Sequence, residues 1–116
     1  MGRVSDPARI AETVATVRAA ARALGYALGE HGSRERDLDL IAVPWVEDAA
    51  PPESLVEAIR AAVGGVIITD PTAPPEDYTR RNPERKPHGR LAWSIHAAVG
   101  VRHGYIDLSV MPRRES

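Results

Sequence analysis

His31-Gly32-Ser33-Arg34-Glu35-Arg36-Asp37-Leu38-Asp39-Leu40-Ile41-Ala42-Val43 decides how this chain is read, because an apolar strand opens there on two acids placed two apart. Successive strand side chains point to opposite faces, so Asp37 and Asp39 share one face about 6–7 Å apart while Leu38 and Leu40 pack on the other. Two carboxylates at that spacing share one divalent cation or hold two. Without a cation, repulsion and partial burial would raise their pKa values, so a pair kept ionised points to Mg²⁺ or Mn²⁺. The run from Leu38 to Val43 reads as buried on both faces, where unpaired carboxylates are costly.

Working outward, Tyr26-Ala27-Leu28-Gly29 is a short strand that leads into the Gly32-Ser33 turn and pairs with the Leu38–Val43 strand, which Pro44 stops. Before it, Ile10, Val14, Val17, Ala21 and Leu24 recur at helical spacing. Asp6 caps that helix, Pro7 suits its first turn and Gly25 ends it. After Pro51-Pro52, Leu55, Val56, Ile59, Ala62 and Val63 mark a second helix, closed by Gly64-Gly65 before the β-branched strand Val66-Ile67-Ile68-Thr69. From Asp70 to Pro87 five prolines and no periodicity predict a loop, read as a flap. Arg90–His96 and Tyr105–Val110 are two further strands, joined around Gly100 to Gly104 as an antiparallel hairpin.

The chain has 116 residues, a formal net charge of -1 and no cysteine, which fits one small domain over residues 1–112 followed by a disordered tail, 113–116. The lack of cysteine excludes disulfides and thiolate ligands. No apolar run approaches the roughly 18 residues needed to span a bilayer, Asp6 stands where a myristoylation signal needs Ser or Thr, and no signal-peptide core is evident. A cytoplasmic protein without membrane contact is expected. Near-neutral charge argues against a general nucleic-acid binder and disfavours an RNA-binding role for the local basic run.

In Tyr105-Ile106-Asp107-Leu108-Ser109-Val110 a third acid interrupts an apolar strand, with Ile106, Leu108 and Val110 on one face and Asp107 and Ser109 on the other. If this strand lies beside that of Asp37 and Asp39, three carboxylates converge, as a site needs to hold cations against a nucleoside triphosphate.

Together, Gly32-Ser33, the run Arg36-Asp37-Leu38-Asp39-Leu40-Ile41-Ala42-Val43-Pro44-Trp45 and the run Tyr105-Ile106-Asp107-Leu108-Ser109 resemble the signature of the DNA polymerase beta-like nucleotidyltransferase superfamily, in particular small nucleotidyltransferase-like proteins of phages and prophages. The resemblance extends from Gly32 to about Pro112. It implies that Asp37, Asp39 and Asp107 are the catalytic and metal-ligating residues, with Asp107 helping to deprotonate the acceptor. It implies also that Gly32-Ser33 contacts the triphosphate. Glycine lets a phosphate approach the backbone and serine adds a donor. The family places a short helix between the Gly-Ser turn and the first Asp. Only Arg34, Glu35 and Arg36 stand there in this chain, so a tight hairpin is expected, with Arg34 or Arg36 supplying positive charge in place of a helix dipole.

A basic run, Arg80-Arg81-Asn82-Pro83-Glu84-Arg85-Lys86-Pro87-His88-Gly89-Arg90, precedes the strand that holds Trp93. It suits either a solvated loop or a polyphosphate partner, and Lys86, His88 and Arg90 are its best nucleotide-binding candidates, since they sit where the flap rejoins the sheet. His31, His96 and His103 read as packed or surface groups, and the histidine spacing matches no zinc signature. Trp45 and Trp93 read as core or rim aromatics, with Trp93 a stacking surface if its face is open.

The expected fold is α+β, a minimal nucleotidyltransferase-like fold: a mixed sheet of about four or five strands, helices on one face and the acids on the opposite face or rim. The expected function is Mg²⁺- or Mn²⁺-dependent transfer of a nucleoside monophosphate from an NTP to a hydroxyl of a protein, RNA or small molecule. The alternative is a catalytically inactive nucleotidyltransferase-like binding protein of phage origin that engages a host protein or sequesters a nucleotide. So small a domain is expected to rely on a second copy or a host protein to hold the acceptor.

Overall fold

The computed structural model describes residues 5–68 and 84–113. Helix α1 spans Pro7–Ala23; the Asp6 side chain accepts from the Arg9 amide at 3.2 Å, satisfying a donor that a first turn leaves open. Ile10, Val14, Val17 and Ala21 form its buried stripe, and the backbone N–H of Leu24 closes it on Ala21 O. Helix α2, Pro52–Val63, has proline in its first turn and ends at Gly64, whose φ of 66° is the left-handed conformation glycine adopts without a Cβ clash.

Strands β1 (Tyr26–His31) and β2 (Leu38–Pro44) form the expected antiparallel pair, with residues 32–37 as a non-helical connection. β1 runs two residues further than its apolar pattern predicts, because pairing with β2 continues as far as His31 opposite Asp39. β3 is Val66–Ile68, β5 Leu91–His96 and β6 Tyr105–Val110. The sheet order is β1-β2-β6-β5-β3: β2 and β6 are parallel, while the other pairs are antiparallel, so the sheet is mixed as expected.

The flap assignment falls mostly on residues 70–83, outside those described, as does Thr69. Its last residues differ from the expectation. Glu84–Arg85 form a two-residue strand, β4, on the same edge of β5 as β3, and Pro87–Gly89 make one 3₁₀ turn before β5. Arg113, read from sequence as tail, donates from Nη1 to Ala49 O at 3.2 Å; residues 114–116 lie outside the description.

Both helices contribute to one core on one side of the sheet. Leu38, Leu40 and Ala42 of β2 and Ile106, Leu108 and Val110 of β6 meet Ile10, Val14, Val17, Leu55, Val56 and Ile59 there. Each of these valine, leucine and isoleucine side chains contributes about 1.5–3 kcal/mol by leaving water. The other face carries Asp39, Ile41 and Val43, which are half-buried or exposed. This corrects the reading of β2 as buried on both faces: the helices cover one side only, so period-2 alternation survives in a strand whose central residues happen to be mostly aliphatic. Trp93 also departs from one of its expected roles. It is 5% exposed, with its side chain in the core, and offers no open face for stacking.

Among the described residues no helix is long and apolar enough to cross a membrane.

Candidate functional site

The pairing register places the site. Asp39 lies opposite His31 on one side and Asp107 on the other, and Asp107 in turn lies opposite Ser94. Four adjacent strands therefore contribute one row, His31-Asp39-Asp107-Ser94, across the helix-free face, at the strand spacing of about 4.8 Å. Alternation puts these side chains away from Leu38, Leu40, Ile106 and Leu108, which anchor the same strands from below. Asp37 precedes β2 by one residue and is half-buried.

Electrostatically the row is poised against itself. Burial, then the negative charges of Asp37 and Asp39, push the Asp107 carboxyl above the ordinary carboxylate range; hydrogen-bond contact with Asp39 adds to the rise. The Ser94 hydroxyl, donating to Asp107 Oδ1 at 3.2 Å, opposes it. Asp37 Oδ1 is buried without a hydrogen-bond partner among the described residues, and its nearest cationic candidate, His103 Nδ1, is 3.9 Å away. An oxygen left so gains nothing from the protein, while the rest of the Asp37 carboxylate reaches solvent.

A cleft of about 350 Å³ opens over this row, lined by His31, Asp39, Ser94 and Asp107 with Lys86, Arg90 and Ser109 at its basic side. Arg90 Nη1 donates to Ser109 Oγ at 2.7 Å, which fixes the guanidinium beside the acids. Its backbone is fixed too: Lys86 N donates to Arg90 O at 2.8 Å across the 3₁₀ turn. Acid and base thus face each other across one concavity, the arrangement suited to a phosphorylated ligand carrying a cation.

The remaining sequence candidates lie around this cleft in different ways. Gly32 has φ 80°, and a β-carbon there would overlap the Asp39 carboxylate, so the backbone passes directly against that acid. Ser33 Oγ accepts from the Glu35 amide at 3.3 Å, a local turn contact. Arg34 forms a two-pronged ion pair with Glu30 of β1, which the expectation of a phosphate contact did not foresee. Arg36 is exposed and its carbonyl accepts the His103 amide at 2.9 Å. His88, at φ 65°, is an exposed residue of the 3₁₀ turn; neither it nor Gly32, Ser33, Arg34, Arg36 or Asp37 lines the cleft.

His31, Ser94 and Ser109 line the cleft although sequence reasoning assigned them no role. The alternation of β5 and β6 puts Ser94 and Ser109 on the Asp107 face, but only the strand register reveals that they flank the same point.

Among the described residues no three His, Asp or Glu side chains are already gathered as a cage for an ion. The donor set nevertheless fits Mg²⁺ of the kind that keeps waters and takes one or two carboxylates plus substrate phosphates. The adjacent Asp39 and Asp107 would be those carboxylates; Asp37 does not line the cleft, although its charge acts on Asp107.

No family model matches the chain, and no curated protein or solved structure matches it either.

Proposed function

We propose that the chain is a Mg²⁺- or Mn²⁺-dependent nucleotidyltransferase acting on an NTP and a hydroxyl acceptor. The observation that carries this reading is the alignment of Asp39 and Asp107 in one register row, facing Arg90 and Lys86 across a single cleft. Asp39 and Asp107, with Asp37 alongside, would hold the cation, which would offset charge on the phosphates and polarise the α-phosphorus. Arg90 and Lys86 bind phosphate oxygens, and the guanidinium held by Ser109 orients them. Asp107, ionised once the cation offsets the charge of its neighbours, would accept the proton released by the acceptor hydroxyl. The new bond joins the acceptor oxygen to the α-phosphorus, the α–β anhydride bond breaks, and pyrophosphate leaves with the electron pair.

A second reading, an inactive nucleotidyltransferase-like protein that binds a nucleotide or a host protein, is favoured by one observation. Arg34, the candidate phosphate ligand nearest the Gly-Ser turn, is held by Glu30 instead. Incubation with labelled NTPs, Mg²⁺ and a cell lysate separates the two. The enzyme predicts label transferred by the native chain and not by Asp39→Ala. NTP binding with no transfer supports the binder, and absence of both removes the proposal.

A further inference from the structure

β1 is an edge strand, and its outer side is chemically open. The Trp45 amide donates to Gly25 O at 3.0 Å, and the register runs from Tyr26 opposite Pro44 to His31 opposite Asp39. Antiparallel pairs alternate between bonded and non-bonded, so Ala27, Gly29 and His31 turn their backbone groups toward β2 while Tyr26, Leu28 and Glu30 turn theirs outward. Met111 N, donating to Ala42 O at 2.9 Å, agrees that the complementary residues of β2 face β6. Among the described residues no backbone hydrogen bond reaches the outward groups of Tyr26, Leu28 or Glu30. The strand has no proline, lysine or bulge, the usual devices that keep an edge from pairing.

We propose that a second copy of this chain pairs antiparallel with the outer edge of β1, in a register centred on Leu28, so that two sheets join into one. This inference does not depend on the proposed activity.

The backbone permits a second copy, and two further features favour it over a foreign strand. The outward groups are self-complementary: Leu28 pairs with its own equivalent, and Tyr26 pairs with Glu30 of the partner subunit, so each outward N–H finds an outward C=O. The charges are also compatible. A groove of about 280 Å³ along this edge is lined by Arg18, Arg22, Tyr26, Ala27, Leu28 and Trp45, and the register delivers Glu30 of the partner subunit beside Arg22, where a carboxylate already held by the guanidinium of position 34 can accept from a second arginine. Finally, Trp45 is 73% exposed, with Val43 and Val46 also exposed nearby in sequence. Trp45 stands across from Gly25, and the same register sets Gly25 opposite His31 of the partner subunit. With no side chain between them, the indole of one copy borders the cleft of the other.

The test uses the intact chain, which contains no cysteine. Light scattering and sedimentation are expected to show a dimer that dissociates on dilution. Ala27→Lys, at an exposed position outside the cleft, is expected to leave a folded monomer by placing like charges across the twofold axis. For the register, Ala27→Cys and Gly29→Cys chains are prepared separately and then mixed. These positions form a non-bonded pair with Cα atoms about 4.5 Å apart, within disulfide reach, so the mixture is expected to cross-link faster than either variant alone. A β-carbon at position 29 makes only ordinary contact with Ile41, so that variant folds. A monomer at every concentration overturns the proposal, as does a dimer indifferent to Ala27→Lys or cross-linking without preference for the mixture. A monomer whose β1 amides gain exchange protection only with an added extended peptide assigns the edge to a foreign strand and also overturns it.

Discussion

Asp107 concentrates the chemistry of the site in one side chain. Its carboxyl is pushed up chiefly by burial and then by two neighbouring acids, so the folded chain holds that proton more tightly than the unfolded chain does. The contribution to stability follows in sign. Below the ordinary carboxylate value, about 4, both states are protonated and nothing is lost; as pH rises toward the raised folded value, stability falls, and the cost persists above it. Asp107→Asn is therefore expected to be more stable than the native chain at neutral pH, with the difference shrinking toward pH 3 or so, as read by urea unfolding across pH. Transfer activity is expected to disappear in the same variant. Gly32 is the second decisive residue. Gly32→Ala combines a left-handed φ with overlap on Asp39, and is expected to cost about 1–3 kcal/mol in urea unfolding. A substitution within about 0.5 kcal/mol of native would contradict the close approach of backbone and carboxylate.

At the scale of elements, β2 does two jobs on its two faces. Leu40 is fully buried beneath the site, whereas Val43 on the other face is 43% exposed. Leu40→Ala is expected to cost about 2–5 kcal/mol and Val43→Thr less than about 0.5 kcal/mol, by the same unfolding measurement. Equal effects would contradict the one-sided core. This division also shows what the sequence made legible. The helices could be read from apolar spacing and end signals at Asp6 and Gly64, and the strands from aliphatic runs stopped at Pro44 or interrupted by Asp107. Pairing was harder, because register between distant strands is set by tertiary packing and leaves no local mark. Hence Asp39 and Asp107 were recognisable as candidates, while His31 and Ser94, which complete their row, were not. Arg34 illustrates the opposite failure: its charge was visible, but its nearest acid, Glu30, became a neighbour only when the turn folded back.

For the whole molecule, the helices and the apolar core on one face leave the other face free to present charged groups, and the loop that joins β5 to β6 is tied down at its margin. The loop after β5 is held to α1 by the Asp6 amide on Gly100 O at 2.8 Å and by Arg9 Nε on Ala98 O at 3.0 Å, and to the β1–β2 connection by His103 on Arg36. The acids are therefore carried on hydrogen-bonded strands rather than on loops, an arrangement that favours binding through pre-organisation. On the proposed function, Asp39 and Asp107 hold a divalent cation on this face. The most direct test of this is paramagnetic broadening of backbone amide signals by trace Mn²⁺ in the native chain and in Asp39→Asn. Broadening is expected to be strongest at His31, Asp39, Ser94 and Asp107, to fall off with distance from that row, and to be lost in the variant while its fold is unchanged; uniform or absent broadening, or broadening that survives the substitution, would contradict a cation held there.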